Sequence, residues 1–293
     1  MVSPDRQYRL VAQSMGAAVI ADWFRSYKHR QRLARARAEI ATRPLGQGVA
    51  HGLPAPLVVS LTSYSARFPT LALTLLALLS QSVVPDRVIL WLDAEDKAKL
   101  PPDVLALTEN GLEIRVCPDW KSYKKIVPTL LEFPHTYIAT ADDDAYYAPD
   151  WLEKLVQASL NGAPIVCHRA HWVTLGKDGK PAPYSEWTRN IAAPERGSRV
   201  FLTGVSGVLY APGVFHADVT RDDLFTRLAP NSDDVWLYFM HRLNGVTAQK
   251  IGGKVRILEW EGSQAQNLRQ ENTTGAGNDR AVIAMIEAYG WPD

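Results

Sequence analysis

From residue 57 onward, short apolar runs of strand type alternate with longer stretches of helical spacing. Leu57-Val58-Val59-Ser60-Leu61, Arg87-Val88-Ile89-Leu90-Trp91-Leu92, Leu112-Glu113-Ile114-Arg115-Val116 and Thr136-Tyr137-Ile138-Ala139-Thr140-Ala141 read as four strands. Helical segments are expected from about Thr70 to Ser80, Leu100 to Thr108, Ser122 to Leu131 and Trp151 to Leu160. Strand and helix in alternation predict a largely parallel sheet with covered faces. A strand follows at Pro164 to Cys167, then irregular sequence to Arg199. Val200-Phe201-Leu202 and Val208-Leu209-Tyr210 flank a glycine-containing turn, which reads equally as a simple hairpin turn or as a place where the backbone approaches a ligand closely. A strongly apolar helix is expected over Asp233 to Leu243 and a last short strand at Lys254 to Leu258. There is no internal repeat and no low-complexity tract.

Before this alternation begins, Gly46, Gly48, Gly52, Pro54 and Pro56 punctuate a linker. The expected organisation is therefore a basic helical extension over residues 1–50 and one main domain over residues 55–293. With 293 residues, the chain is long enough for such a domain, and 46% apolar with 22% charged residues is ordinary for a globular protein. The net charge of +1 conceals an asymmetry. Residues 1–43 carry nine Lys and Arg against Asp5, Asp22 and Glu39, so the remainder is acidic. The stretch from Arg25 to Arg43, rich in Ala, Arg and Leu, reads as a helix. Its simpler role is a solvated helix packed on the main domain. Its functional role is peripheral contact with anionic lipid, without deep insertion because the C-terminal half holds few bulky apolar residues. Nucleic acid is not expected as a partner, since the acidic remainder would oppose it. Cys117 and Cys167 lie in separate apolar segments and read as buried thiols of a reducing compartment. No uncharged apolar run of membrane-spanning length and no good signal peptide is present, so the expected location is cytoplasmic, at most peripheral at the inner membrane face.

Candidate chemistry concentrates where the fourth strand ends. Asp142, Asp143 and Asp144 close that apolar run, and stacked carboxylates at a strand end are costly unless a cation compensates them. Along an extended backbone Asp142 and Asp144 share a face and Asp143 points the other way. Two carboxylates at the C-terminal edge of such a sheet suit Mg²⁺ or Mn²⁺, although an acidic turn before the helix at Trp151 explains them equally well. A second acidic pair, Asp233 and Asp234, stands with Ser232 at the start of an apolar helix, where capping is the bland reading.

Several segments taken in order resemble the GT-A glycosyltransferases, in particular bacterial enzymes related to family 2. The carriers are Val58 to Tyr64 with Gln81, Tyr123-Lys124-Lys125, Ala141 to Tyr147, Thr203-Gly204-Val205-Ser206-Gly207 through Tyr210, Ser232 to Trp236, and Asn278-Asp279. The match covers about residues 56–282. The resemblance implies an α/β GT-A fold with a mostly parallel central sheet flanked by helices. It implies an inverting, metal-dependent transfer of sugar from a nucleotide donor, a UDP-sugar by expectation, to a glycan or lipid-linked acceptor in bacterial surface-polysaccharide assembly. Asp144 would hold Mn²⁺ or Mg²⁺, Asp142 would contact the ribose or share the metal through water, and Asp143 would assist. Thr62, Ser63, Tyr64 and Arg67 lie where such enzymes hold nucleobase and ribose. Asp93 matches a position that bonds a uracil edge, and its bland alternative is a helix N-cap. Arg67 and Lys124, in preference to Lys125, would contact the diphosphate. Asp234 or Asp233 would be the base. Many relatives add a histidine ligand from the C-terminal part, but no histidine follows His241 here, which leaves further coordination to diphosphate and water.

Two rival readings remain at this stage. Phosphotransferases of the haloacid dehalogenase type also end a strand in Asp-x-Asp, but they need Thr or Val where this chain has Tyr146. A non-catalytic nucleotide-sugar or glycan-binding module could keep the same fold. Trp172 and Trp187 are candidate acceptor-stacking rings, whereas His168 and His171 read as structural.

Overall fold

The computed structural model describes residues 4–263 and 277–292. The chain divides into two compact units, residues 1–43 and residues 44–293. The first is one helix, α1 (Pro4–Thr42), which begins well before Arg25. No proline interrupts residues 5–42, and strong helix formers carry the helix through the single Gly16.

The second unit begins with β1 (Val49–Ala50), β2 (Leu57–Thr62), a 3₁₀ turn at Ser65–Arg67 and α2 (Phe68–Leu79). Next come β3 (Val83–Val84), β4 (Arg87–Leu92), α3 (Ala94–Lys97), α4 (Pro102–Ala106) and β5 (Leu112–Val116). A second 3₁₀ turn at Lys121–Lys125 leads into α5 (Val127–Glu132), β6 (Tyr137–Thr140) and α6 (Trp151–Leu160). Five short strands follow: β7 (Ile165–Cys167), β8 (Ala170–Trp172), β9 (Glu195–Gly197), β10 (Val200–Leu202) and β11 (Val208–Tyr210). The unit closes with α7 (Asp222–Leu228), α8 (Asp233–Leu243), β12 (Ala248–Lys250) and α9 (Gly277–Tyr289).

The main sheet has the order β5-β4-β2-β6-β11-β7-β12-β9. Pairings β5–β4, β4–β2, β2–β6 and β7–β12 are parallel, whereas β11 lies antiparallel to both its neighbours and β9 is an antiparallel edge. The expected α/β class, a mostly parallel central sheet flanked by helices with an N-terminal helical extension, is the architecture the chain adopts. The strands read as near-continuous apolar runs because they are buried on both faces: Leu57, Val59, Leu61, Ile89, Leu90 and Ala139 have no exposed surface. A larger aromatic core forms around Phe201, Phe225, Trp236, Tyr238 and Phe239. Since β4, β2 and β6 run parallel in register, Thr62–Ser63, Asp93 and Asp142–Asp144 all emerge at one sheet edge.

Three local expectations are corrected, and one helix is added. Val200–Leu202 and Val208–Tyr210 are not a hairpin: β10 pairs with β8 in a separate two-stranded sheet, while β11 enters the main sheet. The stretch to Arg199 is not wholly irregular, since it holds β8 and β9. No strand forms at Lys254–Leu258. The segment has no regular structure, its Val255 N–H and C=O both bond the Asn190 side chain (3.2 and 3.0 Å), and the strand lies earlier, at β12. Helix α9, signalled by apolar Ala281, Val282, Met285, Ile286 and Tyr289 at helical spacing, went unanticipated.

Candidate active site

Strand β6 ends at Thr140, and the backbone bends at Asp143 and Asp144. This overturns the expected alternation. Asp143 and Asp144 converge on one partner, the Arg67 guanidinium, while Asp142 turns to Lys125 (3.3 Å). Asp143 is the most tightly held of the three. Its carboxylate accepts from Ser63 Oγ and lies 3.3 Å from Arg67 Nη1. The Thr74 hydroxyl lies 2.9 Å from its carbonyl, and the same hydroxyl accepts from Trp260 Nε1 (2.8 Å). The backbone N–H of Trp260 bonds the Asp144 carbonyl (2.9 Å). Burial pushes the Asp143 carboxyl up to about 7, against the opposing pull of Arg67. Burial also disfavours the Arg67 charge, but Asp143 and Asp144 outweigh it and hold the guanidinium above its ordinary range. Tyr64 completes this corner, its hydroxyl accepting from Arg67 Nε (3.2 Å).

Lys124 and Lys125 diverge because successive residues of a 3₁₀ turn point about 120° apart. Lys124 Nζ lies between Asp93 (3.0 Å) and Asp119 (2.9 Å). Asp93 therefore serves both as N-cap of α3, accepting from the Asp96 N–H (2.9 Å), and as ion-pair partner. The Asp96 N–H, then Lys124, lower its pKa despite some desolvation. Thr62 turns its hydroxyl to the Trp91 carbonyl (2.8 Å), so its side chain is structural. Arg67 and Lys124, expected on a diphosphate, both lie against carboxylates of the chain itself.

Lys125, ranked behind Lys124 from sequence, is the residue that ties the two acidic groups together. Its ammonium lies 3.3 Å from Asp142 and 3.0 Å from Asp233. Burial works against its charge, but Asp233, Asp142 and Asp234 together raise its pKa well above the ordinary lysine value. Asp233 also accepts from Ser122 Oγ (2.9 Å). Asp234 accepts from the Gly204 N–H (2.8 Å) and keeps part of its surface accessible. Burial first, then the neighbouring Asp233, push the Asp234 carboxyl up to about 7; Lys125 and the Gly204 N–H oppose this. The expected capping by Ser232 is absent: its hydroxyl bonds Asn278 (2.9 Å), and its carbonyl starts the helix. At Gly204 a Cβ would lie 2.7 Å from Lys125 Nζ and 3.0 Å from Asp234 Oδ1, so any larger residue would push the end of the lysine aside.

Asp142 and Asp144 offer hard carboxylate oxygens, the donor type that suits Mg²⁺ or Mn²⁺, but each lies against a cation of the chain itself, Lys125 and Arg67 respectively. Among the described residues no three or more His, Cys, Asp or Glu side chains are disposed to hold a metal, so the rest of a coordination shell would come from elsewhere. Trp187 is corrected as an acceptor ring: it is buried, donates to the Ala182 carbonyl (2.8 Å) and packs on Tyr184 and Phe201. Trp172 is half-buried with the Arg199 guanidinium over its face. His168 bonds the Trp151 carbonyl and His171 accepts from the Asn190 N–H, as structural histidines do. Both cysteines are buried free thiols. No helix among the described residues is long and apolar enough to cross a membrane.

No protein-family model matches the chain, and no curated protein does either. Among solved structures, it is similar to a mannosyltransferase, PcManGT from Pyrobaculum calidifontis, solved with GDP-Man and Mn²⁺. That likeness has 15% identity and a TM-score of 0.47, covering 96% of this chain and 79% of that one. It is also similar to a 4-diphosphocytidyl-2C-methyl-D-erythritol synthase from Anaerococcus prevotii (14% identity, TM-score 0.45, covering 77% and 96%). Residues 1–349 of TarS from S. aureus match at 14% identity with a TM-score of 0.44, covering 69% of this chain and 59% of that one. Likenesses this slight assign no activity by themselves.

Proposed function

We propose that the chain is an inverting glycosyltransferase of GT-A type that uses Mn²⁺ or Mg²⁺. It moves a sugar from a nucleotide donor, a UDP-sugar in the first instance, to a hydroxyl of a glycan or lipid-linked acceptor, in the assembly of bacterial surface polysaccharide. The observation that carries the reading is the Lys125 bridge, which holds the Asp142–Asp144 cluster and the Asp233–Asp234 pair in one continuous site. A cation bound by Asp144 and Asp142 would neutralise charge on the departing diphosphate. Ser63, Tyr64, Arg67, Asp93 and Lys124 frame the nucleotide end, and Asp143 fixes Arg67 and Ser63 in place. Asp234 removes the acceptor proton as the hydroxyl attacks the anomeric carbon. A free carboxylate is a weak base, and the burial that lifts Asp234 to about 7 brings it to the range where general-base catalysis is effective. Asp233, gripped by Lys125 and Ser122, orients that end of the site.

The test is a screen of nucleotide sugars for transfer or slow hydrolysis by the purified chain, with Mn²⁺ and with chelator. Asp234→Asn should still bind the nucleotide while transfer drops by about 10²–10⁴-fold. Because the unprotonated carboxylate is the active form, kcat/KM should rise with pH and level off above an inflection near 7. Nucleotide binding without turnover of any donor by the wild type would establish a binding module instead. Absence of nucleotide binding altogether would remove the reading.

A further inference from the structure

Helix α1 runs for 39 residues and carries an exposed aromatic cluster that nothing in the catalytic reading uses. Trp23, Phe24 and Tyr27 are 55%, 50% and 44% exposed. Their rings hold one another: Trp23 stacks on Tyr27 at 5.6 Å and meets Phe24 edge-on at 5.0 Å. At about 100° per residue the three occupy one contiguous strip of the helix surface. Exposed Lys28 and Arg35 border this strip on one side, and exposed Arg30 and Arg37 on the other. Bulky aromatics in the open cost solvation unless something covers them, and a cluster flanked by cations narrows what that is.

We propose that α1 is a surface anchor for an anionic lipid bilayer: Trp23, Phe24 and Tyr27 seat in the headgroup layer while Lys28, Arg30, Arg35 and Arg37 reach the lipid phosphates. Three physical points favour this occupant. Trp and Tyr suit the boundary between headgroups and acyl chains, where one end of the ring system is apolar and the other wet. Long basic side chains lay their methylenes along apolar surface and extend their charges outward, as the borders of the strip require. A second copy of the same helix is opposed electrostatically, because residues 1–43 carry nine Lys and Arg against three acidic residues. Neither signal alone gives firm attachment, but an apolar wedge and a polybasic stripe together do. The helix lies on the membrane and does not cross it, since it is not apolar enough for that. The inference stands independently of the reaction assigned to the cleft.

Co-sedimentation of the full chain with phosphatidylcholine vesicles, with and without phosphatidylglycerol, tests it. Binding should require the anionic lipid, and the variant Trp23→Ala/Phe24→Ala/Tyr27→Ala should bind at least tenfold more weakly. Lys28→Gln and Arg35→Gln should each weaken binding about fivefold at low salt. All the substituted residues are exposed, so circular dichroism and melting should stay at wild-type values. Failure to bind anionic vesicles, equal binding to neutral ones, or undiminished binding by the triple variant would each overturn the proposal. A concentration-dependent dimer that the triple variant abolishes would overturn it as well, by showing that the strip pairs two copies of the chain.

Discussion

Two glycines in the segment between β10 and β11 separate what a residue does for chemistry from what it does for folding. At Gly204 a Cβ would meet the end of the Lys125 side chain and the Asp234 carboxylate, at 2.7 and 3.0 Å. The end of a lysine can yield, so Gly204→Ala should cost only about 1 kcal/mol of stability. The shift displaces the group that joins both acidic clusters, however, and misplacement on that scale lowers turnover by about 100-fold. Gly207 has φ +91°, and a Cβ there would lie 2.4 Å from the Trp151 ring, which is itself pinned by its Nε1 bond to the Ser206 carbonyl (2.8 Å). Gly207→Ala should therefore destabilise by about 3 kcal/mol or more. Melting curves and initial rates on both variants check the contrast: stability nearly intact with activity lost for the first, stability lost for the second.

At the scale of elements, much of the site is held by polar side chains that carry no chemistry. Gln81, which follows the first helix of the main domain, accepts from the Leu152 N–H (3.0 Å) and donates to the carbonyls of Ala77 (2.8 Å) and Ala148 (3.0 Å). It thereby ties the end of α2 to the start of α6 and to the segment that follows the aspartates. Gln81→Leu fits by volume but leaves a buried helix-start N–H without an acceptor, and should cost about 1–3 kcal/mol by chemical denaturation. Strands β4 and β5 and helix α8 were legible to the residue, because buried parallel strands and an apolar helix write their burial directly into composition. The acidic clusters were legible for the same reason: charges next to apolar runs stand out. The direction of each carboxylate was not, because the strand alternation assumed for Asp142–Asp144 had already ended at Thr140. Lys125 was underrated because a linear sequence does not say which of two adjacent lysines faces the other acidic pair; the 3₁₀ turn decides it. The false hairpin at β10 and β11 had a similar origin, since β11 takes its partners from β6 and β7, distant in sequence.

For the molecule as a whole, buried titratable groups set opposing dependences of stability on pH. His171 and His241 are buried, and burial lowers each from 6.5 to about 4. Between those values the unfolded chain binds their protons and the folded chain does not, so these two contribute a loss of stability as pH falls from about 6.5 to 4. Asp143 and Asp234 act in reverse: burial raises each from 3.8 to about 7, so the folded chain binds protons over that interval and they contribute a gain in stability as pH falls. From pH 6.5 to 4 the two histidines and the two aspartates should largely cancel, and the contribution of these four groups should be nearly flat in chelator. Single variants unmask the slopes. His241 donates through Nδ1 to the Val246 carbonyl (2.9 Å), which Arg242 also serves (3.0 Å), so His241→Leu should change stability little at pH 7.5. At pH 5 the variant should exceed the wild type by about 2 kcal/mol, because a proton penalty of roughly 1.5 pH units has been removed. Asp234→Asn removes the opposite term: it should be more stable than the wild type at pH 8, by on the order of 2 kcal/mol, and lose that advantage on acidification. Melting temperatures from pH 4 to 8 for the three proteins decide the matter. Parallel curves would mean that these side chains do not titrate as their burial demands. Curves that cross with the stated signs would mean that the site holds Asp234 at a cost in stability, as expected for a carboxylate whose surroundings raise its basicity.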